Sequence, residues 1–312
     1  MTVKTDSVVS SRFPTTRIPQ SQLEELVHEF VSKMRHARGT TRHVYEKGLD
    51  QLLSFARSNL FRFTPHDFAE FRLWLFNQEK LSRNTVNVYL TASRRFCEFL
   101  MEKGILRKNP AWSVHGSAQE FKTLDVKLTE VASAISSIDR ESILGKRDFA
   151  FLSAIFECGA TISEMINANL GDLRRYGNRA KLRVKRTGIP AESDWLSLPP
   201  DVTSATYDFI AARGIVSPEE PLFATVRAGR ATRVRLSFRG ARAAMQKRLS
   251  FGNNRRIRLD SLRTYCVVRL MSRGKSSEEV RSIMRFKSNM PFKKIMYSVK
   301  SITDRAISSA HE

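Results

Sequence analysis

Four amphipathic segments, each opened by a helix-start signal, lie within about 95 residues near the beginning of the chain and predict a helical bundle. Ser21 and Glu24 have the spacing of a capping box, and Thr64 and Ser82 each precede a run with helical periodicity. The remaining helix is expected to begin near Thr40. Because an amphipathic helix must bury its apolar stripe, the four helices are expected to pack on one another.

The distribution of polar and periodic stretches predicts two domains in the 312-residue chain. Residues 1–20 predict a flexible N-terminal arm, and residues 21–112 the helical domain. Residues 113–127 are polar and weakly periodic, which indicates a linker. Residues 128–312 form the expected second domain.

The second domain combines helical and strand patterns. The stretch Lys146–Phe156 is apolar almost all round after its charged start and predicts a buried helix. Lys181–Val184 and Trp195–Leu198 alternate as short strands, and Pro200 opens another helix. The expected fold class is therefore mostly α with a small antiparallel sheet, an α+β domain behind a helical one.

The charge of the chain points to a polyanionic partner. Lys and Arg number 53 against 31 acids, a net charge of +22. Between Arg227 and Arg263 there are twelve basic residues and one acid, Asp260. This segment therefore carries half of the net charge. A solvated helix face normally mixes both signs, whereas a phosphate backbone favours a run of one sign. Nucleic acid is the expected partner, with an anionic membrane surface and a merely soluble basic protein as alternatives.

Cysteine usage and hydropathy exclude several other classes. The three cysteines, Cys97, Cys158 and Cys266, are far apart and match no metal-ligand spacing, so we expect reduced thiols and no metal. No apolar run is long enough to span a bilayer, and the N-terminus lacks the apolar segment of a secretion signal. A cytoplasmic, nucleoid-associated protein without a membrane partner is expected.

Several stretches resemble motifs of the tyrosine recombinases, the phage-integrase and Xer-like family. Cys158–Met165 is similar to the family's T-G-x-R-I-S-E-L box, and Leu259–Cys266 is similar to P-H-D-L-R-H-T-F. Ile283–Ser288 resembles L-L-G-H-S-S, and Gly104–Ala111 resembles the G-x-x-x-x-N-P exit of the helical domain. The resemblance spans residues from about 20 to 305. It implies the two-domain recombinase architecture and a reaction that needs no metal or cofactor.

The resemblance also assigns two catalytic roles. A tyrosine hydroxyl is a weak nucleophile, and its attack on a phosphodiester requires positive charge at the phosphate oxygens. Arg263 stands at the position of the second family arginine and is the expected phosphate clamp. Tyr297 stands at the position of the nucleophile, although the gap from Phe286 to Tyr297 is two residues longer than in the family.

Other positions depart from the family's catalytic set. Thr161 stands where the first arginine belongs, and a hydroxyl cannot replace a charged bidentate fork. Asp260 stands where the first histidine belongs; its carboxylate would repel a phosphate and is expected to pair with Arg256 or Arg263. The degenerate positions are Thr161, Thr187, Asp260 and Phe286.

Lys185 is the candidate for the catalytic lysine, which would protonate the departing oxygen. The best register of the strand pair puts Thr187 at the lysine position, and Lys185 lies two residues earlier. Two residues along a strand keep the same face, so Lys185 can serve as a general acid. The alternative is an ordinary solvated strand lysine.

The expected DNA contacts come from two regions. In the fourth helix of the first domain the arginines are, on physical grounds, only exposed helix charges, and the resemblance is what makes them candidates. The second region is the basic run. The expected DNA-binding residues are Arg83, Arg94, Arg95, Arg230, Arg233, Arg235, Arg239, Arg255, Arg256 and Arg258.

The resulting hypothesis is a double-stranded DNA-binding protein of the recombinase fold that acts in integration, excision or resolution of a mobile element. The missing groups predict impaired catalysis and cooperation with an active partner recombinase. One alternative is an active, divergent recombinase that forms a 3′-phosphotyrosyl link through Tyr297, with Arg255, Arg256 or Arg258 replacing the lost arginine. Another is a purely regulatory or architectural DNA binder. Val299–Ala310 predicts a terminal helix, and the resemblance implies that this tail docks on a neighbouring protomer.

Overall fold

The computed structural model describes residues 16–34, 39–77, 81–116, 126–185, 193–214, 217–251, 255–286, 292–293 and 295–296. These residues belong to two compact units, Met1–Glu120 and Phe121–Glu312. Most of the predicted arm and linker, the predicted terminal helix, and the candidate residues Thr187 and Tyr297 lie outside the described residues.

Unit 1 is the predicted helical bundle. Its apolar stripes meet in one core, in which Phe68, Phe71 and Phe96 are completely buried. This burial is what holds the helices together, because helical propensity alone does not stabilise segments of this length. Its α-helices are Gln20–Lys33 (α1), Gly39–Ser58 (α2), Pro65–Asn77 (α3) and Arg83–Glu102 (α4).

The helix starts of unit 1 test the capping predictions. The Ser82 hydroxyl accepts a hydrogen bond from the Thr85 amide at 3.1 Å, and Thr64 does the same for Asp67 at 3.2 Å, so both predicted caps are confirmed. The predicted capping box at Ser21 is wrong. Helix α1 already begins at Gln20, so Ser21 lies inside it, and the Glu24 carboxylate pairs with Arg57 of α2 instead of reaching back to the backbone.

In unit 2, further helices and small antiparallel sheets surround a central helix, α6. Its α-helices are Leu128–Ser136 (α5), Ile143–Cys158 (α6), Ile162–Asn167 (α7), Pro200–Arg213 (α8), Phe238–Arg248 (α9), Leu262–Ser272 (α10) and Ser277–Ile283 (α11). Its strands are Leu173–Tyr176 (β1), Arg179–Lys185 (β2), Ser193–Leu198 (β3), Ala224–Arg227 (β4), Arg230–Arg235 (β5), Ser250–Phe251 (β6) and Arg255–Arg256 (β7). The predicted fold class is confirmed.

Helix α6 is buried on most of its surface, as its sequence predicted. It also buries the charged side chain of Asp148, which pairs with Arg147 at 2.6 Å and with Arg248 of α9 at 2.8 Å. A buried carboxylate needs such partners. The pair with Arg248 therefore fixes α9, which carries part of the basic run, against the core of unit 2.

Strands β1, β2 and β3 form one antiparallel sheet in that order. Leu182 and Val184 of β2 are buried against the core, as are Leu196 and Leu198 of β3, whereas the residues between them on each strand face outward. Strand β1 and the separate β4–β5 hairpin were not predicted. That hairpin turns at Ala228 and Gly229, both with positive φ, as a two-residue hairpin turn requires.

No helix among the described residues combines the length and the apolar character needed to cross a membrane.

Candidate functional site

Three of the candidate positions line one cavity of unit 2. The cavity measures about 200 Å³ and brings together Thr161, Asp260 and Arg263, which are far apart in sequence. Thr161 comes from the turn after α6. Asp260 comes from the short helical turn before α10, and Arg263 from the start of α10. The remaining lining residues are Ile155, Ala160, Ile162, Ser163, Phe238 and Leu259.

The turn between α6 and α7 forms one wall of this cavity, and Gly159 makes the turn possible. Gly159 ends α6 with φ of +64°, a conformation that side chains with a Cβ disfavour. Met284 also approaches so closely that its Sδ would lie 2.3 Å from a Cβ at this position. The segment around Met284 is therefore packed directly onto the turn that carries Thr161.

Thr161 has a structural role at the position of the first family arginine. Its hydroxyl accepts a hydrogen bond from the Glu164 amide at 3.1 Å, and the Glu164 carboxylate accepts one from the Thr161 amide at 2.7 Å. This reciprocal pair is a capping box at the start of α7. The Thr161 hydroxyl oxygen thus already accepts the bond that caps α7.

Arg263 lies at the other wall and is part-buried. Its Nη2 donates to the Met284 carbonyl at 2.8 Å, and its guanidinium lies 5.3 Å from the centroid of the Phe286 ring. Burial lowers the pKa of the Arg263 guanidinium, an effect that the nearby Glu164 carboxylate opposes. Its buried Nε has no hydrogen-bond partner among the described residues. An anion in the cavity would satisfy such a partly desolvated cation.

Asp260 pairs with Arg242 of α9, so the expected pairing with Arg256 or Arg263 is wrong. The contact is bidentate, at 2.7 and 2.6 Å, and both side chains are exposed. The reason is the position of Gln246 on α9. Its side chain forms hydrogen bonds with the Ile257 carbonyl and the Leu259 amide, which places Asp260 beside Arg242, one helical turn before Gln246 on α9.

Arg285 was not among the predicted site residues; it occupies the position of the glycine in the family's L-L-G-H-S-S box. Arg285 has φ of +54°, which is uncommon for a residue with a side chain. Its guanidinium is buried and forms an ion pair with Glu164 at 2.9 Å. It also donates to the Gly159 carbonyl at 3.2 Å and to the Ile283 carbonyl at 2.9 Å. The only sequence signal was an arginine where the motif has a glycine.

Phe286 stands where the family has its last histidine and contributes an aromatic ring. The ring packs on the Arg263 guanidinium and lies 6.3 Å from the Phe292 ring. Phe292 belongs to a small apolar cluster with Cys266 and Met284. A phenyl ring can neither donate nor accept a proton, so Phe286 adds packing and no acid–base group.

Lys185 is exposed at the end of β2, where it faces Ser193 of β3 in the register. It is the last described residue before the segment that contains Thr187. Both the general-acid prediction and the solvated-lysine alternative for Lys185 stay predictions.

The predicted DNA-binding arginines differ in their availability. Arg94 donates to the Ala111 carbonyl at 3.1 Å and also to the Val114 carbonyl, and Arg235 binds the carbonyls of Ile166 and Ala168. These two guanidinium groups bond to backbone carbonyls of the chain itself, and their roles as DNA contacts stay predictions.

Most of the other predicted arginines whose side chains are described are exposed. Arg233 and Arg95 are exposed and pair with Glu220 and Glu98, respectively. Arg258 is half-buried, and the side chain of Arg255 lies outside the described part of the chain. The further exposed residues are Arg83, Arg230, Arg239 and Arg256. A cationic surface over β4, β5 and α9 is therefore available to a polyanion.

Sequence comparison finds relatives among recombinases, although no family model matches the chain. The putative integrase/recombinase y4rA of Sinorhizobium fredii is 26% identical over 196 residues, 53% of this chain and 45% of that protein. The tyrosine recombinase XerC of Pelotomaculum thermopropionicum is 30% identical over 174 residues, 50% of this chain and 56% of that protein. The chain spans about half the length of the curated relatives it matches.

Solved structures match a larger share of the chain. The XerH site-specific recombinase bound to palindromic difH substrate aligns with a TM-score of 0.68 and 16% identity, covering 95% of this chain and 86% of that one. A lambda integrase dimer bound to a COC' core site aligns with a TM-score of 0.62 and 13% identity, covering 87% and 94%. Identities this low show a shared fold. The curated relatives and the fold neighbours are tyrosine recombinases and integrases, the family that the motifs of this chain resemble.

Proposed function

We propose that this protein binds duplex DNA during site-specific recombination, contributes little cleavage of its own, and acts beside an active partner recombinase. The observation that carries the proposal is the cavity that holds Thr161, Asp260 and Arg263. It offers a single arginine to a phosphate, where the reaction demands at least two positive groups and an acid.

DNA as the partner is supported by charge and by the relatives. The net charge is +22, and the exposed arginines of β5 and α9 present much of it on one segment. XerH and lambda integrase, which share the fold, are described in complex with their DNA sites. Each phosphate that a Lys or Arg neutralises releases counterions, so the affinity of this chain for DNA should fall steeply with salt.

Impaired cleavage is supported by the contacts around the cavity. The Thr161 hydroxyl caps α7, and Asp260 brings a negative charge, which Arg242 only offsets. Arg263 can still hold a phosphate through the N–H groups of its guanidinium that do not bond to the Met284 carbonyl. Loss of one preorganised donor from such a site typically costs about 3 kcal/mol of transition-state stabilisation, roughly a hundredfold or more in rate.

Cooperation with a partner follows from this chemistry. A chain that binds the DNA site but leaves the strand intact contributes to recombination only if another subunit cuts. Lambda integrase, one of the fold relatives, is described as a dimer and as a tetramer on DNA. The same kind of assembly, with an active recombinase in the other positions, is the proposed context for this chain.

The experiment is a complementation assay. The gene is deleted, recombination of the host element is scored, and the deletion is complemented with wild type or with Tyr297→Phe. The proposal predicts that the deletion lowers recombination and that Tyr297→Phe restores it like wild type. Failure of Tyr297→Phe to complement would contradict the proposal, and no effect of the deletion would favour a regulatory role.

A second candidate function, an active divergent recombinase, is favoured by Arg285. Its charge is close enough to Arg263 to lower the pKa of that guanidinium, after the larger effects of burial and of Glu164. If Glu164 released it, Arg285 would bring a second arginine to the neighbourhood of the cavity. On this alternative Glu164→Gln raises cleavage, whereas on the main proposal it changes stability alone.

A further inference from the structure

The outer face of the three-stranded sheet β1–β3 carries a second concentration of positive charge, separate from the basic run. The inner face packs on the core, and the register brings the outward residues of the three strands together. No carboxylate stands among these outward positions, because Asp194 alternates to the opposite side. The cations of this face are Arg174, Arg179, Lys181, Arg183 and Lys185.

Spacing along β2 fits a charged polymer better than a single small anion. Its four cations occupy alternate residues from Arg179 to Lys185. Alternate strand residues lie about 6.6 Å apart, so these charges extend over about 20 Å in a nearly straight line. A phosphodiester backbone presents its charges in a similarly extended row.

Two aromatic side chains hold cations in place on this face. The Arg174 guanidinium lies 5.3 Å from the centroid of the Trp195 ring, and the Lys181 ammonium lies 5.8 Å from that of Tyr176. Both rings are exposed. Cation–π contacts of this kind restrict the long side chains before any ligand binds, which reduces the entropy lost on binding.

One cation of the face is already partly neutralised by a carboxylate, so it is less available to a phosphate than the others. Arg183 bonds to the Asp172 carboxylate at 2.9 Å while its side chain stays about half exposed. Asp172 itself is buried in the turn immediately before β1. Arg179 and Lys181 are therefore the cations most suitable for testing the surface.

We propose that the outer face of the β1–β3 sheet is a second DNA-binding surface, which takes the phosphate backbone of duplex DNA. The inference rests on the proposed function and adds a contact that the basic run does not provide, since β4 and β5 belong to a different sheet. The outward positions hold no aliphatic residue and their aromatic rings carry cations, so the face is suited to phosphates rather than to insertion into a lipid surface.

The test compares the double variant Arg179→Gln/Lys181→Gln with wild type and with the matched control Arg273→Gln/Lys275→Gln. The control removes the same charge from exposed positions of unit 2, outside both basic surfaces. Affinity of the full chain for a mixed-sequence duplex is measured against salt. Thermal unfolding confirms that all variants keep the fold.

The expected result is a logarithmic salt slope shallower by about 1.8 for the sheet variant, since each lost phosphate contact removes about 0.9. The control should keep the wild-type slope. Equal slopes for the sheet variant and the control would overturn the inference while leaving DNA binding intact. A flat slope for wild type would refute the proposed function instead. The inference would also be overturned if the sheet variant lost binding to phosphatidylserine vesicles while its DNA binding stayed unchanged.

Discussion

Arg285 and Glu164 form a buried ion pair at 2.9 Å, although they are 121 residues apart in sequence. The pair joins the segment that follows α11 to the first turn of α7. Glu164 at the same time caps the helix that Thr161 begins. The three residues therefore form one unit at the position where a family member would keep its first arginine.

Arg285→Met should destabilise the protein by about 3 kcal/mol, because Glu164 would be left as a buried, unpaired charge. Adding Glu164→Gln should recover part of the loss, and urea denaturation of the single and double variants measures the coupling. The matched control is Lys275→Met, which breaks the exposed pair with Glu279 and should cost less than about 1 kcal/mol. Equal losses for the buried and the exposed pair would contradict this role of Arg285.

Arg285→Gly should be more stable than Arg285→Ala by about 1 kcal/mol. Both variants lose the ion pair, so their difference isolates the positive φ of residue 285. Glycine adopts this conformation without the steric cost that a Cβ imposes. Denaturant unfolding of the two variants gives the comparison, and an alanine variant as stable as the glycine variant would show that the backbone stores no strain there.

Thr161→Ala should lower the unfolding free energy by about 1 kcal/mol, because the first turn of α7 loses its side-chain cap. Thr161→Ser keeps the hydroxyl and should stay within a few tenths of wild type. Chemical denaturation distinguishes the two variants. If serine proved as costly as alanine, the methyl group of Thr161 and its packing would matter more than the cap.

The three thiols should be inert in the native protein. Burial raises the pKa of Cys97, Cys158 and Cys266, so little thiolate forms at neutral pH. A thiol reagent should label none of them until denaturant opens the fold. The raised pKa values also predict stability that is complete below the ordinary thiol pKa of about 8.5 and falls at higher pH, as the unfolded chain ionises first. Rapid labelling of native protein would contradict this.

Local signals predicted local structure well. The Ser82 and Thr64 caps were predictable because the bonds span three residues and need nothing from the rest of the fold. The Ser21 box failed because Glu24 found a stronger partner in Arg57, 33 residues away. Strand β5 was missed because arginines occupy several of its positions, and apolar alternation was the signal available for strands.

The candidate site shows the same division. The motif order brought Thr161, Asp260 and Arg263 to one cavity, as the resemblance implied. The partners of these residues were not predictable: Arg242 meets Asp260 only through the packing of α9, and Arg285 reaches Glu164 only after both segments fold. Such contacts depend on tertiary structure and leave no periodic trace in the sequence.

Covalent trapping on a nicked suicide duplex that carries the cognate site separates an impaired recombinase from an active one. We expect wild type to shift the duplex in a salt-dependent way yet to form no covalent adduct that resists denaturation, because the cavity offers Arg263 without a second arginine or an acid. A wild-type adduct that disappears in Tyr297→Phe would refute impaired cleavage and establish an active recombinase.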